Sequence, residues 1–246
     1  MALPALVLVH GGGLAADCWE PTIDELHRQA PELTVLAVDL PGRRGKPGDL
    51  RTLTIADWVA SVVADIEAAG LDDIVIVGHS MAGLTVPGVA AKLGSSRVRE
   101  MNFATAFVPP EGKALVDTIT GLFARIARRR AEKSVIAVTP AWMVRVGFLN
   151  GTSRDQRRFM ANKLYPESPH ILAQNVSRRE MPDDIPRTWI LTLRDRALSI
   201  ESQRKGIDAI GGVQNCIEVD TCHMLMVSEP ERLAQILVER CRLYSR

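Results

Sequence analysis

The turn at residues 78–83, Gly-His-Ser-Met-Ala-Gly, constrains the possible fold of this chain more than any other segment. It follows the apolar run 74–77, which suits a buried strand, and it precedes residues 84–93, which have the pattern of a helix. A serine on so sharp a strand-to-helix turn adopts a strained backbone conformation, so bulky neighbours two residues away would clash. Gly78 and Ala82 are both small enough for such a turn.

This turn would push the Ser80 hydroxyl out above the sheet, where backbone N–H groups of the following helix could face an anion. Such an arrangement is typical of a nucleophilic serine. The usual pattern has glycine two residues after the serine, whereas this chain has Ala82 there and Gly83 one residue further on. An ordinary glycine-rich turn is the alternative interpretation.

Short β-branched runs alternate with helical patterns along most of the chain. Six segments have the pattern of strands: residues 5–9, 34–38, 73–77, 98–104, 188–193 and 214–219. Five segments have the pattern of helices: residues 18–29, 55–69, 80–93, 201–210 and 229–242. The alternation predicts an α/β fold with a mostly parallel sheet of about six strands and helices on both faces. Ser228 is expected to cap the last helix.

The alternation breaks between residues 109 and 186. Helical spacing over 113–131, 139–149 and 153–164 predicts a helical cap insertion over the sheet. Residues 1–108 and 187–246 would then form the core, and 109–186 would form a lid that sets specificity. Apolar residues of the insertion are candidates for lining a pocket, with burial in the lid's own core as the alternative: Leu122, Phe123, Trp142, Met143 and Phe148.

The insertion is basic, although the formal net charge of the chain is only +1. Residues 111–182 hold thirteen Lys or Arg and six Asp or Glu. The densest group, called here the basic cluster, consists of Arg125, Arg128, Arg129, Arg130 and Lys133. A solvated helix face explains such a cluster, and a docking surface for an anionic partner or substrate is the alternative.

A serine hydroxyl becomes a good nucleophile only when a base takes its proton and a third group orients that base. His223 follows the last predicted strand, and Asp195 follows the strand before it. Both positions lie at the carboxyl edge of the sheet, where open parallel sheets place their sites. The order Ser80, Asp195, His223 is also the chain order that goes with such a serine turn. Asp220 lies only three residues before His223, so the local chain would have to fold back for it to reach the inner nitrogen of the ring.

The first predicted strand ends in the sequence His10-Gly11-Gly12-Gly13. Glycines there let the backbone approach a ligand and turn an N–H group toward it, as an oxyanion-binding loop does. A plain tight turn is the alternative. His79 adjoins the serine in sequence, and we expect it to point away and to serve packing.

Composition excludes several classes of function. The near-neutral charge gives no reason to expect binding of nucleic acid or an anionic membrane, and no apolar run approaches the ~20 residues of a membrane span. The first residues lack a basic start and a cleavage site, so we interpret them as a strand rather than a signal peptide. Four cysteines without a C-x-x-C pair predict free thiols, a reducing cytoplasmic location and no metal site.

Taken together, these segments resemble the α/β-hydrolase superfamily, and within it the branch of plant methylesterases and hydroxynitrile lyases. The resemblance is carried by residues 8–12, 39–42, 78–83, 195, 223–224 and 228–230. It implies the α/β-hydrolase fold, with Ser80, His223 and Asp195 as a catalytic triad. It also implies that the backbone N–H groups of Gly12 and Met81 form the oxyanion hole.

Two details favour the esterases within that branch. The lyases resembled here place a lysine directly after the histidine to stabilise departing cyanide, whereas this chain has Met224. They also replace a glycine after the first strand with threonine, whereas this chain has Gly11.

The sequence therefore predicts a serine hydrolase that cleaves a small, largely uncharged carboxylic ester and needs neither a metal nor an organic cofactor. Two alternatives stay open. One is a hydroxynitrile lyase or C–C bond hydrolase on the same scaffold, and the other is a non-catalytic receptor for a small ligand. The acyl and alcohol groups, the pathway and the oligomeric state, a homodimer included, are also left open.

Overall fold

Six parallel strands form one sheet in the computed structural model, which describes residues 2–119, 121–133 and 135–245. The strands are β1 (Ala5–Val9), β2 (Val35–Val38), β3 (Ile74–His79), β4 (Val98–Ala104), β5 (Arg187–Thr192) and β6 (Asn215–Val219). Their order across the sheet is β2-β1-β3-β4-β5-β6. The predicted α/β fold with a sheet of about six strands is confirmed, and every strand lies within about two residues of its predicted bounds.

The register of the sheet brings the strand ends to one edge. Residues that pair at or near those ends are Val9 with Gly78, His79 with Ala104, and Thr192 with Val219. Because all the strands are parallel, the loops that leave these ends lie side by side. The sheet edge therefore gathers residues that are far apart in the sequence.

Helices pack on both faces of the sheet. They are α1 (Glu20–Gln29), α2 (Ile55–Ala68), α3 (Val86–Leu93), α4 (Leu115–Thr118), α5 (Gly121–Glu132), α6 (Ala141–Gly147), α7 (Arg154–Ala161), α8 (Pro169–Ala173), α9 (Ile200–Ala209), α10 (Leu225–Ser228) and α11 (Pro230–Arg242). Successive residues of β1 face opposite sides, so Leu6 joins the core beneath α1 and α11, whereas Val7 joins the core beneath α2 and α3. No helix within the described ranges is both long and apolar enough to cross a lipid bilayer.

Two predicted helices begin differently from expectation. Residues Ser80–Leu84 form a 3₁₀ turn, and the regular helix α3 begins only at Val86. Likewise, a 3₁₀ turn over Ala16–Trp19 precedes α1. Tighter 3₁₀ turns are common at helix starts, and here they shorten the step from a strand end to its helix.

The predicted role of Ser228 as the cap of the last helix is wrong. Ser228 ends α10 instead, and its hydroxyl donates a hydrogen bond back to the Met224 carbonyl at 3.0 Å. Glu229 occupies the position before α11 and makes no side-chain capping bond. Because the short helix α10 occupies residues up to Ser228, α11 begins at Pro230, one residue later than predicted. The local capping pattern did not indicate α10.

Helices α4 to α8 lie between β4 and β5, in the segment predicted to be an insertion. The chain enters and leaves this segment at one place, because Ala114 pairs with Asn175. Arg128 of the basic cluster donates hydrogen bonds to the carbonyls of Val116 and Ile119, which ties α5 to the α4 turn. The side chain of Arg130 lies outside the described residues. The domain bounds and a docking role for the basic cluster stay predictions.

A buried ion pair joins the last helix to the centre of the sheet. Arg240 of α11 contacts Glu100 of β4 through both carboxylate oxygens, at 2.7 and 3.0 Å. The side chain of Glu100 is fully buried, and that of Arg240 is 12% exposed. Thr188 donates a further hydrogen bond to the same carboxylate.

We predict that Arg240→Met lowers the free energy of unfolding by about 3 kcal/mol or more, because it leaves Glu100 buried without its cation. Adding Glu100→Gln should recover part of this loss. Urea denaturation of the two variants measures both effects, with Arg232→Met, an exposed substitution on the same helix, as the control. Equal stability of Arg240→Met and the wild-type chain would contradict the assignment.

Candidate active site

Ser80 occupies a strained turn directly after β3. Its φ of 53° lies in the left-handed region, which non-glycine residues rarely adopt. The turn needs small neighbours, since a Cβ at Gly78 would lie 2.7 Å from the Val86 side chain. A Cβ at Gly83 would lie 2.4 Å from the Phe107 carbonyl oxygen, whereas Ala82 fits its buried position. The close approach of the Phe107 backbone therefore requires glycine at position 83, one residue later than in the usual pattern.

His223 bridges Ser80 and Asp195. Its Nδ1 lies 2.6 Å from Asp195 Oδ2, and its Nε2 lies 2.9 Å from Ser80 Oγ. A carboxylate can only accept, so Nδ1 carries the proton and Nε2 is free to accept the Ser80 hydroxyl proton. All three residues follow strand ends, on β3, β5 and β6. The structure thus brings together the three side chains that sequence reasoning selected.

Asp195 is held on both of its oxygens. Oδ1 accepts hydrogen bonds from the backbone N–H groups of Ala197 and Leu198, at 2.7 and 2.8 Å. Oδ2 accepts from the hydroxyls of Thr105 and Thr192, at 2.6 and 3.1 Å, in addition to His223. Burial alone would raise the pKa of Asp195, but the charge of His223 and these hydrogen bonds outweigh it, and the net shift is downward. Asp195 is therefore held as a carboxylate of fixed orientation.

Thr105 is a contributor that the sequence analysis missed. It directly follows β4, is fully buried and has a φ of 41°, an unusual value for a β-branched residue. Its position after a strand end was a signal in the sequence that could have drawn attention to it. The positive φ was not foreseeable, because threonine disfavours that conformation locally.

Asp220, the rejected alternative for the acid, lies elsewhere. Its side chain is 71% exposed and pairs with Arg194, whose Nε is 2.9 Å from Asp220 Oδ1. The Arg194 guanidinium is thereby held on the outer side of this loop.

The glycine loop after β1 runs against the serine. A Cβ at Gly11 would lie 2.8 Å from Ser80 Cβ, and a Cβ at Gly12 would lie 2.1 Å from Met81 Sδ. With Ser80 and Met81 in these positions, neither glycine could carry a side chain. Gly12 and Met81, the predicted oxyanion-hole residues, line the same cavity as Ser80.

Glu167 anchors this loop from the helical segment, a role that the sequence analysis did not identify. Its Oε2 accepts from the Gly13 N–H at 2.8 Å and from Arg43 Nη2 at 2.7 Å. Its Oε1 accepts from the Ser168 N–H. The Arg43 side chain is fully buried, so the carboxylate is matched by a buried cation. No sequence pattern around residue 167 indicated this contact, which arises only when the segment packs on the loop.

Two further histidines support the site as neutral, buried groups. His10 Nε2 accepts from the Leu40 N–H at 3.1 Å, and burial lowers the pKa of His10 to about 3. His79 Nε2 lies 3.0 Å from the His223 carbonyl, and burial likewise lowers the pKa of His79 to about 3. Since a carbonyl only accepts, His79 donates from Nε2. The packing role expected for His79 thus includes a hydrogen bond that holds the His223 backbone.

The Ser80 hydroxyl faces a small cavity of about 150 Å³. Most of its lining side chains are apolar: Met81, Phe107, Leu115, Ile119, Ile126, Ala127, Met143, Phe148, Leu172 and Ala197. Met143 and Phe148 were predicted to line a pocket and do so, whereas Trp142 is 62% exposed and does not. The side chains of Leu122 and Phe123 lie outside the described residues. The cavity therefore joins Ser80 to an apolar space under the helical segment.

Comparison with known proteins places the chain in a family. Residues 6–236 match the alpha/beta hydrolase family, and the chain belongs to it. It is 25% identical over 255 residues to Methylesterase 7 of Arabidopsis thaliana, a match that covers 97% of this chain and 96% of that protein. The predicted resemblance to the plant methylesterase branch is thereby confirmed.

A bacterial relative and a solved structure extend the comparison. The chain is 32% identical over 111 residues to the carbendazim hydrolyzing esterase of a Nocardioides species, and this match spans only 45% of either protein. A solved extracellular α/β-hydrolase from a Paenibacillus species superposes with a TM-score of 0.83 at 23% identity, covering 97% of this chain and 99% of that one. That structure is described as sharing homology with tobacco Salicylic Acid Binding Protein 2, and its likeness to this chain shows the shared fold.

We predict that Asp195→Asn removes most of any ester-cleaving activity, because the amide cannot hold the His223 tautomer that accepts the serine proton. Asp220→Asn is the matched control and should keep at least about a tenth of the activity, since Asp220 pairs with Arg194. Steady-state kcat/KM for a chromogenic ester measures both variants. The reverse ranking would overturn the assignment of Asp195.

Proposed function

We propose that this chain is a serine hydrolase that cleaves small, largely uncharged carboxylic esters through an acyl-enzyme intermediate. The observation that carries the proposal is the continuous set of contacts from Asp195 through His223 to Ser80, with Ser80 in the wall of an apolar cavity. A buried, oriented base beside a serine on a strained turn is what activates a hydroxyl for attack on a carbonyl.

The reaction would proceed in two halves. His223 Nε2 takes the proton as Ser80 Oγ attacks the ester carbonyl, and the same proton then goes to the leaving alcohol. Water, activated by His223 in the same way, hydrolyses the acyl-serine. Asp195 stays ionised and stabilises the protonated ring of His223 through the short contact to Nδ1.

The oxyanion formed in each half would bind the backbone N–H groups of Gly12 and Met81. Donors that are fixed before the reaction stabilise developing negative charge most effectively. The loop is fixed by close packing of its glycines on Ser80 and Met81 and by the contact from Glu167 to the Gly13 N–H. The pairing of Glu167 with Arg43 limits the repulsion between that carboxylate and the oxyanion.

The cavity supports a small, uncharged substrate. A volume of about 150 Å³ limits the bound group to a short chain or a single ring, and the apolar lining favours hydrocarbon. Among the described residues that line the cavity, none carries a positive charge that could pair with a carboxylate on the substrate. We also assign residues 109–186 the role of the lid that sets specificity, since side chains of α4, α5, α6 and α8 contribute to the lining.

Relatives and the residue after His223 support ester cleavage over the alternatives. Methylesterase 7 and the carbendazim hydrolyzing esterase are named for this class of reaction. Cleavage of a cyanohydrin would need a positive charge beside the histidine, and Met224 is a buried, uncharged thioether. A receptor would have no need of the hydrogen-bonded set of Ser80, His223 and Asp195.

The proposal predicts that Ser80 is the reactive serine. An alkyl fluorophosphonate should label Ser80 stoichiometrically, and Ser80→Ala should abolish labelling and lower kcat for short p-nitrophenyl and methyl esters by roughly 10⁴-fold or more. Ser96→Ala is the control, because Ser96 is exposed in the loop before β4, at the opposite edge of the sheet. Peptide mapping that finds the label mainly on another residue, or an ester panel without turnover, would contradict the proposal.

A further inference from the structure

A second cleft lies beside the Ser80 cavity. It has a volume of about 460 Å³ and lies between the loop after β4 and helix α9. Its lining includes the apolar residues Ala106, Val108, Pro110, Leu198 and Ala209. The proposed reaction at Ser80 does not use this space.

The two cavities share a thin wall. Phe107 and Ile119 line both of them, and both side chains are half-buried rather than locked in the core. The two spaces also adjoin at the loop after β5, where Ala197 lines the Ser80 cavity and the next residue, Leu198, lines the second cleft. A connection between the two spaces would require these apolar side chains to move aside.

The position of this wall indicates which half of an ester would cross it. The Phe107 ring lies 6.1 Å from the His223 ring, measured between centroids. Ala197 and Leu198 carry the N–H groups that bind Asp195. The second cleft thus lies behind Phe107 as seen from the Ser80 cavity, next to the loop that carries Asp195. The leaving alcohol must sit beside His223 Nε2 to receive its proton, so a long alcohol that passes Phe107 would enter this cleft.

The chemistry of the cleft defines its ligand. Two charged residues line the cleft. Lys205 is paired with Glu201 at 2.7 Å, and Asp208 is exposed on the surface of α9. With the charges of both signs on exposed positions, the interior favours hydrocarbon.

We infer that the cleft is a leaving-group subsite, which takes the distal part of an uncharged alkyl or aryl alcohol when the ester is too long for the Ser80 cavity. The inference rests on the proposed ester hydrolysis. It predicts that the protein combines a short acyl group, confined to the cavity of about 150 Å³, with a longer apolar alcohol.

Filling the cleft tests the subsite. Ser202 is half-buried on α9 and lines the cleft, so Ser202→Trp should occupy it. Arg204→Trp is the matched control, since Arg204 is exposed on the same helix and is not among the lining residues. Ala209→Phe fills the cleft from another position and covers the case in which Ser202→Trp does not fold. Thermal melting and fluorophosphonate labelling establish that each variant is folded.

The measurement is kcat/KM for acetate esters of methanol to hexanol, and for methyl esters of acetic to hexanoic acid. We expect the ratio of hexyl to methyl acetate to fall at least about tenfold in the filling variants, the contribution of about two buried methylenes, and to keep its wild-type value in Arg204→Trp. An unchanged ratio of hexyl to methyl acetate in folded filling variants would contradict the subsite. A fall in kcat/KM that depends on the length of the acyl group rather than of the alcohol would contradict it as well. Failure of the wild-type chain to cleave any ester would instead refute the proposed function itself.

Discussion

The backbone of Ser80, held at a φ of 53°, is the constraint on which the rest of the site depends. Such a conformation costs about 1–3 kcal/mol and persists only where the surroundings enforce it. Here the Phe107 N–H donates to the Ser80 carbonyl at 2.8 Å, and Gly83 lets the Phe107 backbone come that close. Gly11 lets the loop after β1 pack on the serine from the other side. The turn therefore ties the ends of β1, β3 and β4 into one rigid edge.

A second strained residue supports the other end of the same hydrogen-bond chain. Thr105 has a φ of 41°, and its hydroxyl donates to Asp195 Oδ2 at 2.6 Å. Both strained residues directly follow strands that are paired with each other in the sheet, β3 and β4. The distances from Asp195 through His223 to Ser80 are thus set by backbone that the sheet holds in place, rather than by flexible side chains. Such preorganisation is what electrostatic stabilisation of a transition state requires.

Sequence reasoning selected Ser80 and Asp195 because each follows a recognisable strand, and strand ends of a parallel sheet meet at one edge. It missed Glu167 because the contacts of that residue arise only from tertiary packing. It also missed Thr105, which follows a strand end as well but has a positive φ that threonine locally disfavours. The prediction for Ser228 failed for a related reason: the capping pattern was present in the sequence, but the extra turn of α10 already used that hydroxyl. Strand bounds were predicted closely because buried β-branched runs end where the apolar pattern ends.

Rapid mixing of the enzyme with p-nitrophenyl acetate tests whether Ser80 carries the acyl group between the two halves of the reaction. We expect a burst of p-nitrophenol stoichiometric with enzyme, together with an acetyl adduct on the peptide containing Ser80 in samples quenched with acid. Where deacylation keeps pace with acylation, the adduct alone is expected, at a lower occupancy. Turnover of the ester with no acetyl group on Ser80 at any time would contradict an acyl-enzyme on this serine.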